Sequence, residues 1–177
     1  MIPKIRKVLY ATDLSSNSAY AFRHAMNTAL MHKAKIVILH VIEPIPPHVQ
    51  AIIEMNISKE DEFRAFEVKA IKDAIQSGVE TIKRGIEKNL AQEFKDSLEY
   101  DDLVSAIVVV EGYPVEEILK KADEYDCDVI IVGSHGKGAL THAFLGSVAK
   151  KLLRRSRKPI YVIPLPEGFK EDAFGGV

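Results

Sequence analysis

A single cysteine, Cys127, is the chain's whole supply of thiol. An internal disulfide is therefore excluded, and a reducing compartment is the natural setting. Cys127 sits just ahead of an apolar run, so it reads as a buried structural thiol rather than a nucleophile. Nowhere do about 18 apolar residues follow one another, which excludes a bilayer-spanning helix. The opening Met1-Ile2-Pro3-Lys4-Ile5-Arg6 lacks a secretory apolar core with a small-residue cleavage site, and the cytoplasm is the expected location. Surplus charge is missing too: 24 Lys and Arg against 25 Asp and Glu leave a net charge of −1. That balance removes any global electrostatic case for nucleic acid or an anionic membrane as partner.

Absent motifs narrow the chemistry further. No G-x-x-x-x-G-K-[ST] occurs, so this is not a P-loop NTPase. No G-x-G-x-x-G follows the first strand-like run, which argues against a Rossmann dinucleotide site. There is no G-x-S-x-G elbow, and Cys127 has no evident histidine partner. His24, His32, His40, His48 and His142 show no zinc-type clustering, and no metal cage is assigned.

What is present fits one α/β domain of 177 residues, with 47% hydrophobic and 28% charged side chains. Five short runs rich in Val and Ile are nearly continuous: Ile5–Ala11, Lys35–Ile42, Leu103–Val110, Asp128–Val132 and Pro159–Ile163. Such runs read as strands buried on both faces, as in a parallel sheet covered by helices. Between them lie apolar stripes of helical period. Ala19, Phe22, Met26, Ala29 and Leu30 make one; Val115, Ile118, Leu119 and Ala122 make another; Leu145, Val148, Ala149, Leu152 and Leu153 make a third. Pro114, just after Gly112, suits a first helical turn. The longest helical pattern runs from Ser58 to Asp96, opens on a capping box and is weakened at Gly78 and Gly85.

The resulting order, βαβαβαβαβ, leaves two segments over. Glu43–Ile57 carries Pro44, Pro46 and Pro47 followed by Val49, Ile52, Ile53 and Met55, too apolar for a free linker. It is expected to form a flap over the site or a subunit contact. The tail Leu165–Val177 ends in Gly175-Gly176 and is expected to fray, although Phe169 and Phe174 offer docking points.

In an open, doubly wound sheet, ligands bind beyond the carboxyl ends of strands where the strand order reverses. Taking the order 3-2-1-4-5 from architecture, the reversal falls between the first and fourth strands. The loops there are Ala11-Thr12-Asp13-Leu14-Ser15 and Gly133-Ser134-His135-Gly136, the most polar strand exits in the chain. Asp13 followed by Ser15 reads as a helix start, or the Asp13 carboxylate reads as an acceptor for a ribose hydroxyl or a holder of a metal-bound water. Gly133 and Gly136 alone are ordinary turn chemistry. With Gly146-Ser147 after nine intervening residues, at the next helix start, they make a row of unobstructed backbone N–H groups suited to phosphate. His135 reads two ways, as a phosphate contact or, in preference, as an exposed turn residue. The run Lys150 to Lys158 reads as a solvated, basic helix end.

Glycine, two residues, glycine, nine residues, glycine, then serine or threonine is also the pattern of the ATP-binding universal stress proteins. Gly133, Gly136, Gly146 and Ser147 meet it, and the chain resembles that family. The opening Val8 to Ser15 and the closing Arg157 to Pro164 resemble its first and last strands, and the likeness extends over residues 1–164 apart from 43–57. The resemblance implies an adenine nucleotide alpha hydrolase-like fold. Adenine would lie near Val41, with Ala11, Thr12 and Asp13 along base and ribose. Val132 and Gly133 would sit under the ribose, while Gly136, Gly146, Ser147 and Val148 would hold the phosphates. Mg²⁺ or Mn²⁺ would bridge phosphate oxygens and water, and two copies would pair through the edge strand Pro159–Ile163. Three functions remain open: an ATP-dependent regulatory protein acting on an unidentified partner, a slow ATPase or phosphoryl or adenylyl transferase, and a dimeric interaction module without turnover.

Overall fold

A computed structural model describes residues 2–44, 84, 103–135 and 145–164. The helix expected over 58–96 (Arg84, which is helical, excepted), the segment 45–57, Gly136 and the tail lie outside the described residues. Five strands, β1 (Lys7–Thr12), β2 (Lys35–Ile42), β3 (Val104–Glu111), β4 (Val129–Gly133) and β5 (Ile160–Ile163), form one sheet. Its order is β3-β2-β1-β4-β5, with every neighbouring pair parallel, as expected. The described helices are α1 (Ser16–His32), α2 (Pro114–Glu124) and α3 (Ser147–Arg155).

Register explains why the strands are apolar on consecutive positions. Leu9 stands between Val37 and Ile130, and Tyr10 between Ile38 and Ile131. Val8, Tyr10, Ile36 and Ile38 pack with Ala21, Phe22, Ala25, Met26 and Ala29 of α1. Leu9, Val37, Leu39 and Ile130 pack on the other face with Val115, Ile118 and Ala122 of α2 and Ala149 and Leu152 of α3. Burial on both faces leaves no solvent side to alternate toward.

Three leucines depart from their expected stripes. Leu30 is 46% exposed and Leu153 is 52% exposed, while Leu145 precedes α3 and is exposed as well. On α3 the buried line consists of Ala149 and Leu152, and Leu153 lies about 100° further round the helix. On α1 the buried line follows Phe22, Ala25 and Ala29, and Leu30 falls on its flank.

Local chemistry sets the boundaries. Pro114 opens α2, with Glu116 and Glu117 in its positive first turn. Lys33 ends α1 in the left-handed conformation (φ 53°), and its N–H bonds back to the Leu30 carbonyl at 3.3 Å. Pro159 has no N–H to give the sheet, so β5 starts one residue later than expected; its carbonyl still accepts from Ile130 N at 3.0 Å. Asp128, just before β4, accepts from Arg6 N (2.7 Å) and Lys7 N (3.0 Å) through Oδ2, clasping the amino end of β1.

Cys127 is 1% exposed within the α2–α3 core. Loss of solvation pushes its thiol up to about 11, against the weaker pull of Lys7 and Lys158. The thiolate is therefore scarce near neutrality. Iodoacetamide at pH 7.5 is expected to leave the native protein unmodified and to label Cys127 fully in denaturant, as read by intact mass. Rapid native labelling would contradict the burial.

Candidate functional site

A cleft of about 410 Å³ opens at the carboxyl rim of the sheet and is lined from the ends of β1, β2 and β4 and the starts of α2 and α3. The reversal of strand order lies between β1 and β4, so topology and cleft coincide.

The exit of β1 supplies Ala11, Thr12 and Asp13. Thr12 Oγ1 accepts from Leu14 N at 3.0 Å and donates to Ser18 Oγ at 2.9 Å. Ser18 Oγ donates in turn to the Ser15 carbonyl at 2.7 Å, and the Tyr10 hydroxyl donates to the Ser18 carbonyl. Asp13 Oδ1 accepts from Ser15 N (3.1 Å) and Ser15 Oγ (2.6 Å), while Ser15 caps α1. These bonds stitch a bend that puts Leu14 at φ 61°. The capping role of Asp13 and Ser15 is thus present, and Asp13 still borders the cleft.

From β2 come Leu39, Val41 and Glu43, alternate residues on one face of the strand and its extension. Buried His40 points its Nδ1 at the Thr12 carbonyl, 2.9 Å away. A carbonyl only accepts, so Nδ1 carries the proton and braces the exit of β1.

The opposite wall is Val132, Gly133, Ser134 and His135, followed by Gly146, Ser147, Val148 and Ala149. Ser134 N donates to the Ile163 carbonyl (2.8 Å), and Gly146 N donates to the Ser134 carbonyl (2.7 Å). The second bond seats the start of α3 directly on the exit of β4. A Cβ on Gly146 would lie 3.0 Å from the Ser134 oxygen, so the close approach favours glycine. No side chain caps α3, and its first turn holds no acidic residue. The first amides of such a helix lack intrahelical acceptors and carry partial positive charge, which makes them anion donors.

His135 is half-buried rather than exposed: its Nδ1 lies 2.8 Å from Ser134 Oγ, and its Nε2 is shut off from solvent. At the far end of α3, Arg155 donates to Glu116 (2.5 Å) and Lys158 lies 3.2 Å from Asp123. The Arg155 bond holds the Glu116 carboxyl below the usual carboxylate range. Part of the basic run therefore ties α3 and β5 to α2.

Ala11, Thr12, Asp13, Val41, Val132, Gly133, Gly146, Ser147 and Val148, named from sequence, all line this one cleft. Gly136 lies outside the described residues. Sequence reasoning missed Glu43, Pro114 and Ile118 as lining residues. Period-two spacing from Val41 would have found Glu43, and i,i+4 spacing from Pro114 would have found Ile118.

The universal stress protein family matches the chain over residues 4–164. The chain belongs to that family. Universal stress protein MJ0577 of Methanocaldococcus jannaschii is 32% identical over 166 residues, 89% of this chain and 94% of that protein. The solved structure of MJ0577 aligns with a TM-score of 0.67 at 26% identity, covering 94% of this chain and 100% of the other. A universal stress protein solved in complex with cAMP shares the fold, with a TM-score of 0.52 at 19% identity, over 91% of this chain and 98% of its own. Among the described residues of this universal stress protein, no helix is long and apolar enough to cross a membrane.

Proposed function

We propose that this stress-response protein binds ATP in the cleft and acts as a nucleotide-dependent regulator. One observation carries the reading: the uncapped start of α3 is hydrogen-bonded onto the exit of β4, at the point where the strand order reverses. Phosphates would meet the amides of Ser147 and Val148 beside Gly146 and Gly136. The ribose would rest on Val132 and Gly133, with Ala11, Thr12 and Asp13 along the base and ribose and the base against Val41. Glu43 and Asp13 make the β1–β2 end of the cleft acidic, which favours directing the triphosphate toward α3.

A divalent cation, Mg²⁺ or Mn²⁺, would enter with the nucleotide and neutralise its phosphates. Phosphate oxygens and water would supply the hard donors such ions take. Regulation requires that ATP bind two conformations with different affinity, since equal affinity shifts nothing. The reading includes a domain over residues 1–164 followed by a tail, a cytoplasmic setting, and a homodimer formed through β5. That strand is an edge of the described sheet, and its Tyr161 is exposed.

Mass spectrometry of ligand released from denatured, freshly purified protein is expected to show ATP. Calorimetry on stripped protein is expected to rank ATP above cAMP, whose single cyclised phosphate offers fewer oxygens to α3. Bound ATP that survives for hours in a single-turnover assay fits a regulator, whereas product within minutes would make the protein an enzyme. Preference for cAMP, or no nucleotide binding, would overturn the reading.

A further inference from the structure

His135 borders the cleft, and its ring poses an accounting problem that the fold does not solve. Nδ1 and Ser134 Oγ are 2.8 Å apart, while Nε2 is buried without a hydrogen-bond partner among the described residues. Two tautomers are possible. If Nδ1–H donates to Ser134, the serine proton and the Nε2 lone pair both go unused. If the serine hydroxyl donates to Nδ1, the proton sits on Nε2 and one group alone is unsatisfied. Buried polar groups pair wherever they can, so the second arrangement is favoured. It leaves a polarised N–H donor, fixed through the 7%-exposed Ser134, at the wall where β4 meets α3.

We infer that Nε2–H of His135 is a phosphate donor, completed when a ligand oxygen reaches it from the cleft that His135 lines. This inference rests on the nucleotide reading above and adds to it a side chain that glycine spacing does not reveal. Ser134 is then a positioning residue: by donating to Nδ1 it holds the donor tautomer. A buried donor left unmatched weakens the free protein, and the incoming oxygen removes that penalty. The arrangement is thus selective for ligands that bring an anionic oxygen to this wall.

Calorimetry on the full chain tests this with ATP and adenosine against wild type, His135→Leu and His135→Gln. Glutamine keeps an N–H donor near the Nε2 position, while leucine keeps bulk alone. His135→Leu is expected to weaken ATP about tenfold, as loss of one hydrogen bond to a charged group does, and to leave adenosine unchanged. His135→Gln is expected to recover ATP binding to within about threefold of wild type. In parallel, the ¹⁵N-labelled wild-type ring is expected to show an Nε2-protonated His135 whose proton shifts on ATP addition. That measurement stands even if the leucine variant fails to fold. Equal ATP affinity in wild type and His135→Leu, failure of glutamine to rescue, or an unmoved Nε2 proton overturns the assignment while the nucleotide site stands. Failure of wild type to bind ATP removes both.

Discussion

Ser147→Asp is expected to weaken ATP binding at least tenfold while the protein melts at the same temperature or slightly higher. The two effects have opposite signs because one feature serves two masters. α3 starts at Gly146 without a side-chain cap and with no acid in its first turn. An aspartate placed there complements the positive helix end, a gain of about 0.3–1 kcal/mol for the fold. The same carboxylate opposes phosphate oxygens reaching for the same amides, and like charges a few ångströms apart in a partly shielded cleft cost several times that. Calorimetry with ATP alongside thermal unfolding separates the terms. Undiminished binding would mean that phosphates do not sit at α3. Gly146→Asp is a poorer test, since its Cβ would lie 3.0 Å from the Ser134 carbonyl and disturb the loop as well as the ligand.

Leu152→Ala is expected to lower unfolding free energy by about 2–5 kcal/mol, the range for deleting a fully buried leucine side chain. Leu152 is 0% exposed and shares with Ala149 the burden of holding α3 against the sheet. A nine-residue helix has little stability of its own in water, so the anchor decides whether its amides stay in place. Nucleotide affinity is therefore expected to fall along with stability, and saturating ATP to restore part of the lost denaturation midpoint. A loss below about 1 kcal/mol would show that α3 is held by something other than this side chain.

Much of the fold was legible because its strands are buried on two faces. Lys35–Ile42 begins and ends where its apolar run does, and β4 and β5 differ from expectation by a single residue. The strand order was taken from architecture, and the register of Leu9 between Val37 and Ile130 is what realises it. Glycine and serine spacing pointed to Gly133, Gly146 and Ser147, while the family resemblance supplied Val41, Val132 and Val148 of the cleft lining. Leu30, Leu145 and Leu153 misled because a helical period gives the angle of a stripe but not its width, which the neighbouring surface sets. His135 misled for another reason. Turn position suggests exposure, whereas its Nε2 is shut off from solvent, a fact with no local sequence signature.

The Asp128 clasp gives the molecule a mechanical asymmetry. One carboxylate oxygen bonds two successive amides at the start of β1, so β1 and β4 are riveted together at their amino ends. At their other ends the two strands run out into the cleft. Between them the ladder runs from Val8 to Tyr10, while Thr12 at the tip of β1 stays paired with His40 of β2. The gap between β1 and β4 is thus set from the end of the sheet opposite the cleft.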